Sequence, residues 1–352
     1  MIVQAKGKIG YALGGGVARG LFHIGVLNVL EENHFYPDII VGTSMGAVIG
    51  ALYASGMTAG EIKKRAMEMD WRQMYRFADI AMPMRGFIQG NRVTSFLKKL
   101  LKEKNFSQLE RKFACVATDI MTGEQVVMLK GSLVEAIRAS ISMPVIFTPV
   151  KRRGRYLVDG GLVNVVPVSV CRDLGADYVI GVNVIPVPHE ELSIQEACER
   201  YYEYQVRSDH DLQKPSLLER GAIYGSHAMN FGKVVKTFFF SRLLRQEQDK
   251  VNSINPKDNK KTVFSFSKEP TLTNVLSQSL SITEYRIAME NLKGADLAIT
   301  PFSGNIGFWQ FSRVAEAISA GEIATKLALQ REDTARMLDG RGKLFSNKEE
   351  IL

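Results

Sequence analysis

A serine between two glycines is the first feature of the sequence that could do covalent chemistry. The segment Gly42–Gly46 reads Gly-Thr-Ser-Met-Gly, with Thr43 and Met45 on either side of Ser44, and it follows a short apolar run at residues 38–41. A run of small residues that favours a helix comes directly after it. In such a strand-to-helix elbow the chain turns sharply, and the flanking glycines avoid steric conflict while the serine oxygen stays exposed. The pattern predicts that Ser44 is a nucleophile.

A glycine-rich loop after the first predicted strand has two interpretations. It consists of Gly14, Gly15, Gly16, Val17, Ala18, Arg19 and Gly20. A dinucleotide-binding loop would have the spacing Gly-x-Gly-x-x-Gly and an acid at the end of the second strand. Counted from Gly14, the third glycine comes one residue late, and the second strand ends without an acid. The loop is therefore interpreted as an oxyanion hole, in which backbone N–H groups stabilise a tetrahedral intermediate.

Arg19 in this loop has two interpretations of its own. It could place a fixed positive charge near the oxyanion or near a lipid phosphate. It could also be an ordinary surface arginine at the start of a helix.

An aspartate followed by two glycines supplies a candidate base. Asp159, Gly160 and Gly161 stand at the end of a predicted strand, residues 155–159. An aspartate in such a context is often a turn or capping residue. Because this strand is expected in the same sheet as the elbow, its carboxylate could take the proton from Ser44 directly. An ordinary carboxylate, with a pKa of ~4, is a weak base, so proximity and the oxyanion hole would supply most of the acceleration.

Alternating strand and helix patterns predict an α/β fold. Strands at residues 8–13 and 38–41, joined by a helix from Ala18 to Glu32, form a βαβ unit and hence a parallel sheet. Further strands are predicted at residues 113–118, 125–129, 155–159, 178–184 and 297–300, and further helices at 47–55, 59–69, 92–103 and 132–140. This alternation indicates three layers, with helices on both sides of a mostly parallel central sheet.

The strand pattern stops between residues 187 and 270. This stretch is predicted to be a helical, basic insertion or lid within a single domain of residues 1–330, which a polar tail follows at residues 331–352. Between Lys233 and Lys261 it carries eight Lys or Arg residues against three acids. Residues 234–245 mix aromatic and aliphatic side chains with cations, which suits a helix lying on an anionic membrane. The same pattern suits a helix packed on the core with a solvated basic face.

Composition narrows the partners and the compartment. The 352 residues carry a net charge of +8, and an isoelectric point near 9.2 favours anionic lipid surfaces or nucleic acid. Three cysteines without metal-ligand spacing argue against a disulfide scaffold. No apolar stretch is long enough for a signal peptide or a membrane span. We therefore expect a cytoplasmic protein, with at most peripheral contact with a membrane.

Together the three motifs resemble those of the patatin-like phospholipase family. Its pattern is a glycine-rich loop after the first strand, Gly-x-Ser-x-Gly after the second, and Asp-Gly-Gly or Asp-Gly-Ala later, and the three occur here in that order. Weaker matches surround them at residues 22–27, 164–168 and 294–301. The resemblance covers roughly Ile9–Asn183 and Thr271–Leu329.

The resemblance implies both a fold and an activity. The fold would be the three-layer α/β/α patatin-like fold. The activity would be that of a serine hydrolase on carboxylic esters of lipids, of the phospholipase A, lysophospholipase or carboxylesterase type. A dyad of Ser44 and Asp159 would act on a phospholipid or another acyl ester, with no metal or other cofactor and no nucleic acid partner.

A catalytic triad is the nearest alternative. Ser44 and Asp159 could act with His189, His210 or His227, in the chain order of α/β-hydrolases. Against this, the serine follows only the second strand, and all three histidines lie in the stretch without strands.

Two further alternatives are less consistent with the motifs. The sequence resembles acyl-carrier-protein transacylases in fold, but Thr43 stands where those proteins carry a histidine, so hydrolysis is favoured over acyl transfer. A non-catalytic, membrane-associated regulatory protein would carry all three motifs by coincidence. His23, which follows the glycine loop, is interpreted as a packed or loop-bracing residue.

Overall fold

The structure, a computed structural model, describes residues 7–69, 89–144, 146–186, 272–301, 306–307 and 309–338. The described segments up to residue 186 and from residue 275 onward belong to one structural unit. The predicted insertion at residues 187–270, with its basic segment, lies outside the described residues. Its role and the predicted domain limits stay predictions.

An eight-stranded mixed sheet forms the centre of this unit. Its strands are β1 (Ile9–Leu13), β2 (Ile39–Thr43), β3 (Lys112–Asp119), β4 (Gln125–Met128), β5 (Val150–Arg152), β6 (Arg155–Asp159), β7 (Tyr178–Val182) and β8 (Leu297–Ile299). They lie in the order β5-β6-β3-β2-β1-β7-β8, with β4 paired to β3. Strands β8, β7, β1, β2 and β3 are parallel, whereas the pairs β3–β4, β3–β6 and β5–β6 are antiparallel. The predicted α/β fold is confirmed, and the antiparallel side of the sheet is an addition to it.

Helices cover both faces of the sheet. They are α1 (Phe22–Glu32), α2 (Met45–Ala54), α3 (Ala59–Glu68), α4 (Asn91–Leu101), α5 (Leu133–Ser140), α6 (Val168–Asp173), α7 (Leu272–Leu292) and α8 (Val314–Leu338). One hydrophobic core lies between the sheet and α1 to α5 together with α8. A second core lies between the opposite face and α6 with α7. Strand β2 is buried throughout, as expected for a parallel strand covered on both faces. None of the helices in this part of the chain is long and apolar enough to cross a membrane.

One edge of β3 brings the serine elbow and the aspartate motif together. Along this edge β3 pairs first with β2, as far as Val116 opposite Thr43, and then with β6, from Ala117 opposite Asp159. The opposite edge of β3 pairs with β4 over residues 115–118. Strand β2 therefore ends where the antiparallel strand β6 arrives. Because strands paired along one edge share a single line of hydrogen bonds, the residue that follows Thr43 must lie beside Asp159.

Helices α1 and α8 approach each other closely through two glycines. A Cβ added at Gly25 would overlap the carbonyl oxygen of Ile318, and one added at Gly321 would overlap the carbonyl oxygen of Phe22. Helix α1 directly follows the 3₁₀ segment Val17–Leu21, which contains the second half of the glycine loop. The contact between α1 and α8 therefore joins the region of the glycine loop to the C-terminal part of the chain.

Some elements differ from the sequence predictions. The pattern does not predict β5 or α6, because three and six residues are too few to show a period. Helix α8 ends at Leu338, so it runs past residue 330 into the segment predicted as a polar tail.

We expect Gly25→Ala to lower the free energy of unfolding by about 1–3 kcal/mol, because the added methyl group overpacks a contact between two backbones. Urea unfolding measures the change. Gly60→Ala, inside α3, is the matched control, since the nearest atom to its added Cβ would be Thr58 Oγ1 at 3.9 Å. This control should gain up to about 0.5 kcal/mol. Equal stability of Gly25→Ala and the wild type would contradict the close helix contact.

Candidate active site

Ser44 occupies a strained turn between β2 and α2. Its φ of 54° and ψ of −122° are unfavourable for a residue with a side chain. Positions 42 and 46 have no room for a side chain, so both must be glycine. A Cβ on Gly42 would lie 2.5 Å from the backbone nitrogen of Ala47, and one on Gly46 would overlap the carbonyl oxygen of Leu13. Ser44 thus has the backbone conformation of a nucleophile elbow.

Buried hydrogen bonds hold the elbow on two sides. The backbone N–H of Ser44 donates to Ser140 Oγ at 2.9 Å, and that hydroxyl donates to the carbonyl oxygen of Val116 at 2.6 Å. On the other side Thr43 Oγ1 donates to the carbonyl oxygen of Asn164 at 2.9 Å. The strained turn is therefore fixed by the end of α5 and by the segment after β6.

Ser44 and Asp159 are in direct contact. The Ser44 hydroxyl donates to Asp159 Oδ2 at 2.6 Å, and the N–H of Gly161 donates to Asp159 Oδ1 at 2.9 Å. Both side chains are nearly buried, with 7% of Ser44 and 3% of Asp159 exposed. Gly160 passes so close to β3 that an added Cβ would lie 2.5 Å from the carbonyl oxygen of Val116. Gly160 therefore allows the chain after β6 to pass close to β3, and the N–H of Gly161 orients the carboxylate of Asp159.

Burial changes the acidity of this carboxyl group. Desolvation raises the pKa of Asp159 from 3.8 to about 6, and the hydrogen bonds from Ser44 and Gly161 act in the opposite direction. A carboxyl group with this pKa is ionised at neutral pH and is a stronger base than an exposed aspartate. Asp159 is therefore ionised at neutral pH while its Oδ2 accepts the hydrogen bond of the Ser44 hydroxyl.

Two N–H groups of the glycine loop already have partners. Gly14 N donates to the carbonyl oxygen of Val182 at 3.0 Å, and Gly15 N donates to that of Val165 at 3.1 Å. These bonds attach the loop to the end of β7 and to the segment that follows β6. They also narrow the set of oxyanion donors predicted from the sequence, because neither N–H is available to a bound ligand.

Two further residues of the loop lie at the cavity beside Ser44. Gly16 and Val17 line this cavity, and within the described residues the structure records no partner for their N–H groups. Val17 has a φ of 49°, which is a strained conformation for a β-branched residue. Gly15 provides space, since a Cβ there would lie 3.3 Å from the Cβ of Ser44.

Arg19 and Gly20 have mainly structural contacts. The Nε of Arg19 donates to the carbonyl oxygen of Ile306 at 3.0 Å, and burial lowers the pKa of its guanidinium group. At Gly20 an added Cβ would overlap the side chain of Met45. This part of the loop is therefore packed against α2 and the segment before α8.

His23 stabilises the glycine loop through a hydrogen bond to its backbone. Its Nε2 lies 2.8 Å from the carbonyl oxygen of Gly14, and the side chain is fully buried. Burial lowers the pKa of His23 to about 4, so the ring is neutral at physiological pH. A neutral ring bonded to that carbonyl oxygen has Nε2 as its donor.

The rest of the cavity is apolar with one exception. Met143, Val165 and Ile185 contribute apolar surface, and Glu284 of α7 adds a carboxyl group. The sequence analysis did not single out Glu284. A signal was present, because Glu284, Ala288 and Leu292 are spaced by four residues and are all buried, which places the acid on the inner face of its helix.

The acidity of Glu284 is also shifted. The pKa of Glu284 is raised from 4.5 to about 8, chiefly by burial and also by the charge of Asp159, while Arg19 acts in the opposite direction. At neutral pH the cavity therefore contains one ionised carboxylate and one protonated carboxyl group.

The three predicted motifs meet at one point of the fold. Ser44, Asp159, Gly161 and the loop residues 15–17 surround the same cavity. The three histidines proposed for a triad lie outside the described residues. No hydrogen bond joins either histidine of the described residues, His23 or His34, to the serine or the aspartate.

Comparison with known proteins supports the resemblance seen in the motifs. Residues 11–172 match the model of the patatin-like phospholipase family. An uncharacterised NTE family protein of Mycobacterium tuberculosis is 33% identical over 177 residues, which are 50% of this chain and 49% of that protein. Patatin-like phospholipase domain-containing protein 6 of Homo sapiens is 34% identical over 198 residues, which are 54% of this chain and 14% of that protein.

The resemblance inferred from the motifs is thus confirmed, since residues 11–172 match the patatin-like phospholipase family model. The chain spans about half the length of the mycobacterial relative and a much smaller part of the human one.

Two solved structures show a distant similarity. VipD from Legionella pneumophila aligns with 95% of this chain and 77% of its own, at 14% identity and a TM-score of 0.37. The type III effector ExoU aligns with 95% of this chain and 80% of its own, at 13% identity and a TM-score of 0.28. Similarities at this level add nothing to the family match.

We expect Asp159→Asn to raise the free energy of unfolding at pH 8 by about 1–3 kcal/mol, because the buried charge disappears. The pKa of Asp159 is higher in the folded state, so its contribution to stability is present at low pH and is lost as the pH rises through about 6. The advantage of the variant should therefore shrink as the pH falls towards 4. Urea unfolding at both pH values measures it, with the exposed Asp173→Asn as the control. An equal effect at both pH values would contradict the assignment.

Proposed function

We propose that this protein is a lipid acyl hydrolase, which uses Ser44 as nucleophile and Asp159 as base. The observation that carries the proposal is the 2.6 Å hydrogen bond from the Ser44 hydroxyl to Asp159 Oδ2, at a strained elbow that opens into a largely apolar cavity. A serine, a base and an apolar cavity together suit an ester with a hydrocarbon chain.

The reaction follows from the positions of these two side chains. Ser44 Oγ attacks the acyl carbon of the ester while its proton passes to Asp159 Oδ2. The tetrahedral intermediate collapses to an acyl-enzyme, and the alcohol takes up a proton as it leaves. In balance the Ser44 proton goes to the alcohol, and Asp159 is ionised again before deacylation. A water molecule then loses a proton to Asp159 and attacks the acyl group, and Asp159 returns a proton to Ser44 Oγ as the acid departs.

The oxyanion of each tetrahedral intermediate needs donors that are already in place. The N–H groups of Gly16 and Val17 are the candidates in the loop, since these two residues line the cavity. Helix α2 begins at Met45, so its N-terminal end, which favours negative charge, also lies at the nucleophile. Donors fixed by strain and by packing do not have to reorganise during the reaction.

The substrate class rests on the family and on the cavity. The match to the patatin-like phospholipase family supports a phospholipid or another acyl ester of a lipid. The relatives include a protein named for a phospholipase domain. Peripheral contact with an anionic membrane remains a proposal that rests on the basic segment, residues 233–261. The mechanism uses no metal and no other cofactor.

We expect Ser44→Ala and Asp159→Asn each to lower kcat for hydrolysis of a p-nitrophenyl ester by about 10³-fold or more, because the two groups act as a unit. Release of p-nitrophenolate measures turnover, and a fluorophosphonate should label Ser44 in the wild type. Turnover should rise as the pH passes through about 6, where Asp159 becomes ionised.

The same assay separates the dyad from a triad. His189→Ala, His210→Ala and His227→Ala should each keep turnover near that of the wild type. Loss of turnover in one of them, or its retention in Asp159→Asn, would contradict the dyad.

We expect Gly15→Ala to lower kcat by about 10–100-fold with little change in thermal stability, because the methyl group would press on Ser44 at 3.3 Å and shift the donors beside it. Gly16→Ala is the contrasting variant. Its Cβ would lie 2.5 Å from Val184 Cγ2, so it should lose stability as well as turnover. Normal turnover in a folded Gly15→Ala protein would remove the loop from the mechanism.

A further inference from the structure

Glu284 is a buried carboxyl group for which the reaction above has no use. It is 8% exposed and lines the cavity at Ser44, and within the described residues the structure records no hydrogen bond to its carboxyl oxygens. The burial of a carboxyl group at the wall of a cavity costs free energy. An aliphatic side chain would pack at this position at lower cost. The carboxyl group is therefore placed to meet a polar group that enters the cavity.

The position of Glu284 is on the same side of the cavity as the base. A Cβ added at Gly161 would lie 3.2 Å from Glu284 Oε1 and 3.3 Å from Asp159 Oδ1. The two carboxyl oxygens are therefore at most about 6.5 Å apart, close enough for each charge to act on the other group. The charged groups that act on Glu284 in the described residues are Asp159 of β6 and Arg19 of the glycine loop.

In a serine hydrolase the alcohol of the ester leaves on the side of the base, because the oxyanion donors hold the carbonyl oxygen on the opposite side. We propose that Glu284 is a further catalytic residue, the general acid that protonates the leaving oxygen when the ester is one of an aliphatic alcohol. This inference rests on the proposed function.

The proton balance of this step closes with the groups present. The proton of Ser44 Oγ moves to Asp159 as the bond from Oγ to the acyl carbon forms. The bond from that carbon to the alcohol oxygen breaks, and the oxygen takes the proton of Glu284. The enzyme then holds a protonated Asp159 and an ionised Glu284. Transfer of one proton between these neighbouring carboxyl groups, through water in the cavity, restores the base before deacylation.

The acidities of the two groups agree with these roles. The pKa of Asp159 is about 6 and that of Glu284 is about 8, so at neutral pH the first is ionised and the second is protonated. Two carboxyl groups whose environments separate their pKa values in this way provide a base and an acid in one site.

Esters with different leaving groups test the assignment. An alkoxide is a poor leaving group and needs a proton, whereas p-nitrophenolate leaves without one. We expect Glu284→Gln, which keeps the shape but cannot give up a proton, to lower kcat/KM for a monoacyl ester of glycerol by about 10²-fold or more. The same variant should lose much less turnover of the p-nitrophenyl ester of the same acid, because that leaving group needs no proton.

The pH profile gives a second readout. For the wild type, kcat/KM for the glycerol ester should fall as the pH rises through about 8, while the p-nitrophenyl ester should show no such fall. Glu290→Gln is the matched control, because Glu290 lies on the same helix with its side chain 71% exposed, and it should leave both esters unaffected.

The outcomes separate this inference from the proposed function. Equal losses on both esters in Glu284→Gln, or no loss on either, would overturn the general-acid role. A wild type that hydrolyses neither ester and takes no fluorophosphonate would instead overturn the proposed function.

Discussion

The structure depends on one constraint, which is that two strands share a single edge of β3. Strand β2 uses this edge up to Val116, and β6 uses it from Ala117. The chain of β2 must therefore leave the sheet at that point, and the strained conformation of Ser44 is the local result. The same constraint sets Asp159 beside it. Ser44 and Asp159 are thus positioned by the backbone pairing of the sheet, and no flexible loop is needed to bring them together.

Burial is the second determinant of the chemistry. A carboxylate needs to be a stronger base than an exposed aspartate if it is to act without a histidine. Removal from water supplies this change at Asp159 and a larger one at Glu284. The cost is stability, since the folded protein holds a charge that it solvates poorly. The hydrogen bonds from Ser44 and Gly161 offset part of that cost and also fix the direction of the carboxylate.

The sequence predicts those parts of the site that depend on neighbouring residues, and few of those that depend on distant segments. The elbow was predictable because Gly42 and Gly46 are required by steric limits within a few residues, and Asp159 because two glycines follow a buried strand. The sequence could not show that the N–H groups of Gly14 and Gly15 are hydrogen-bonded within the protein. These bonds depend on the carbonyl groups of Val182 and Val165. Those contacts join segments more than a hundred residues apart.

Glu284 illustrates the same limit. Its four-residue spacing with buried neighbours indicates an inward face, but only the packing of α7 on the sheet shows that this face meets the catalytic cavity. The antiparallel direction of β6 could not be predicted either, because a short buried strand has the same sequence pattern in both directions. Pattern reasoning therefore identifies the residues that do chemistry more readily than the residues that adjust it.

The pairing of β1 with β7 has a consequence for the order in which the site can form. The glycine loop follows β1 directly, yet its N–H groups are held by the carbonyl groups of residues 165 and 182, and β1 gains its second neighbour only when β7 is present. During synthesis the serine elbow emerges early, while the loop beside it has to wait for more than a hundred further residues. Closing so long a loop is also entropically unfavourable until the later strands stabilise it. A nascent chain therefore carries the serine elbow well before it carries the segments that surround this serine in the folded protein.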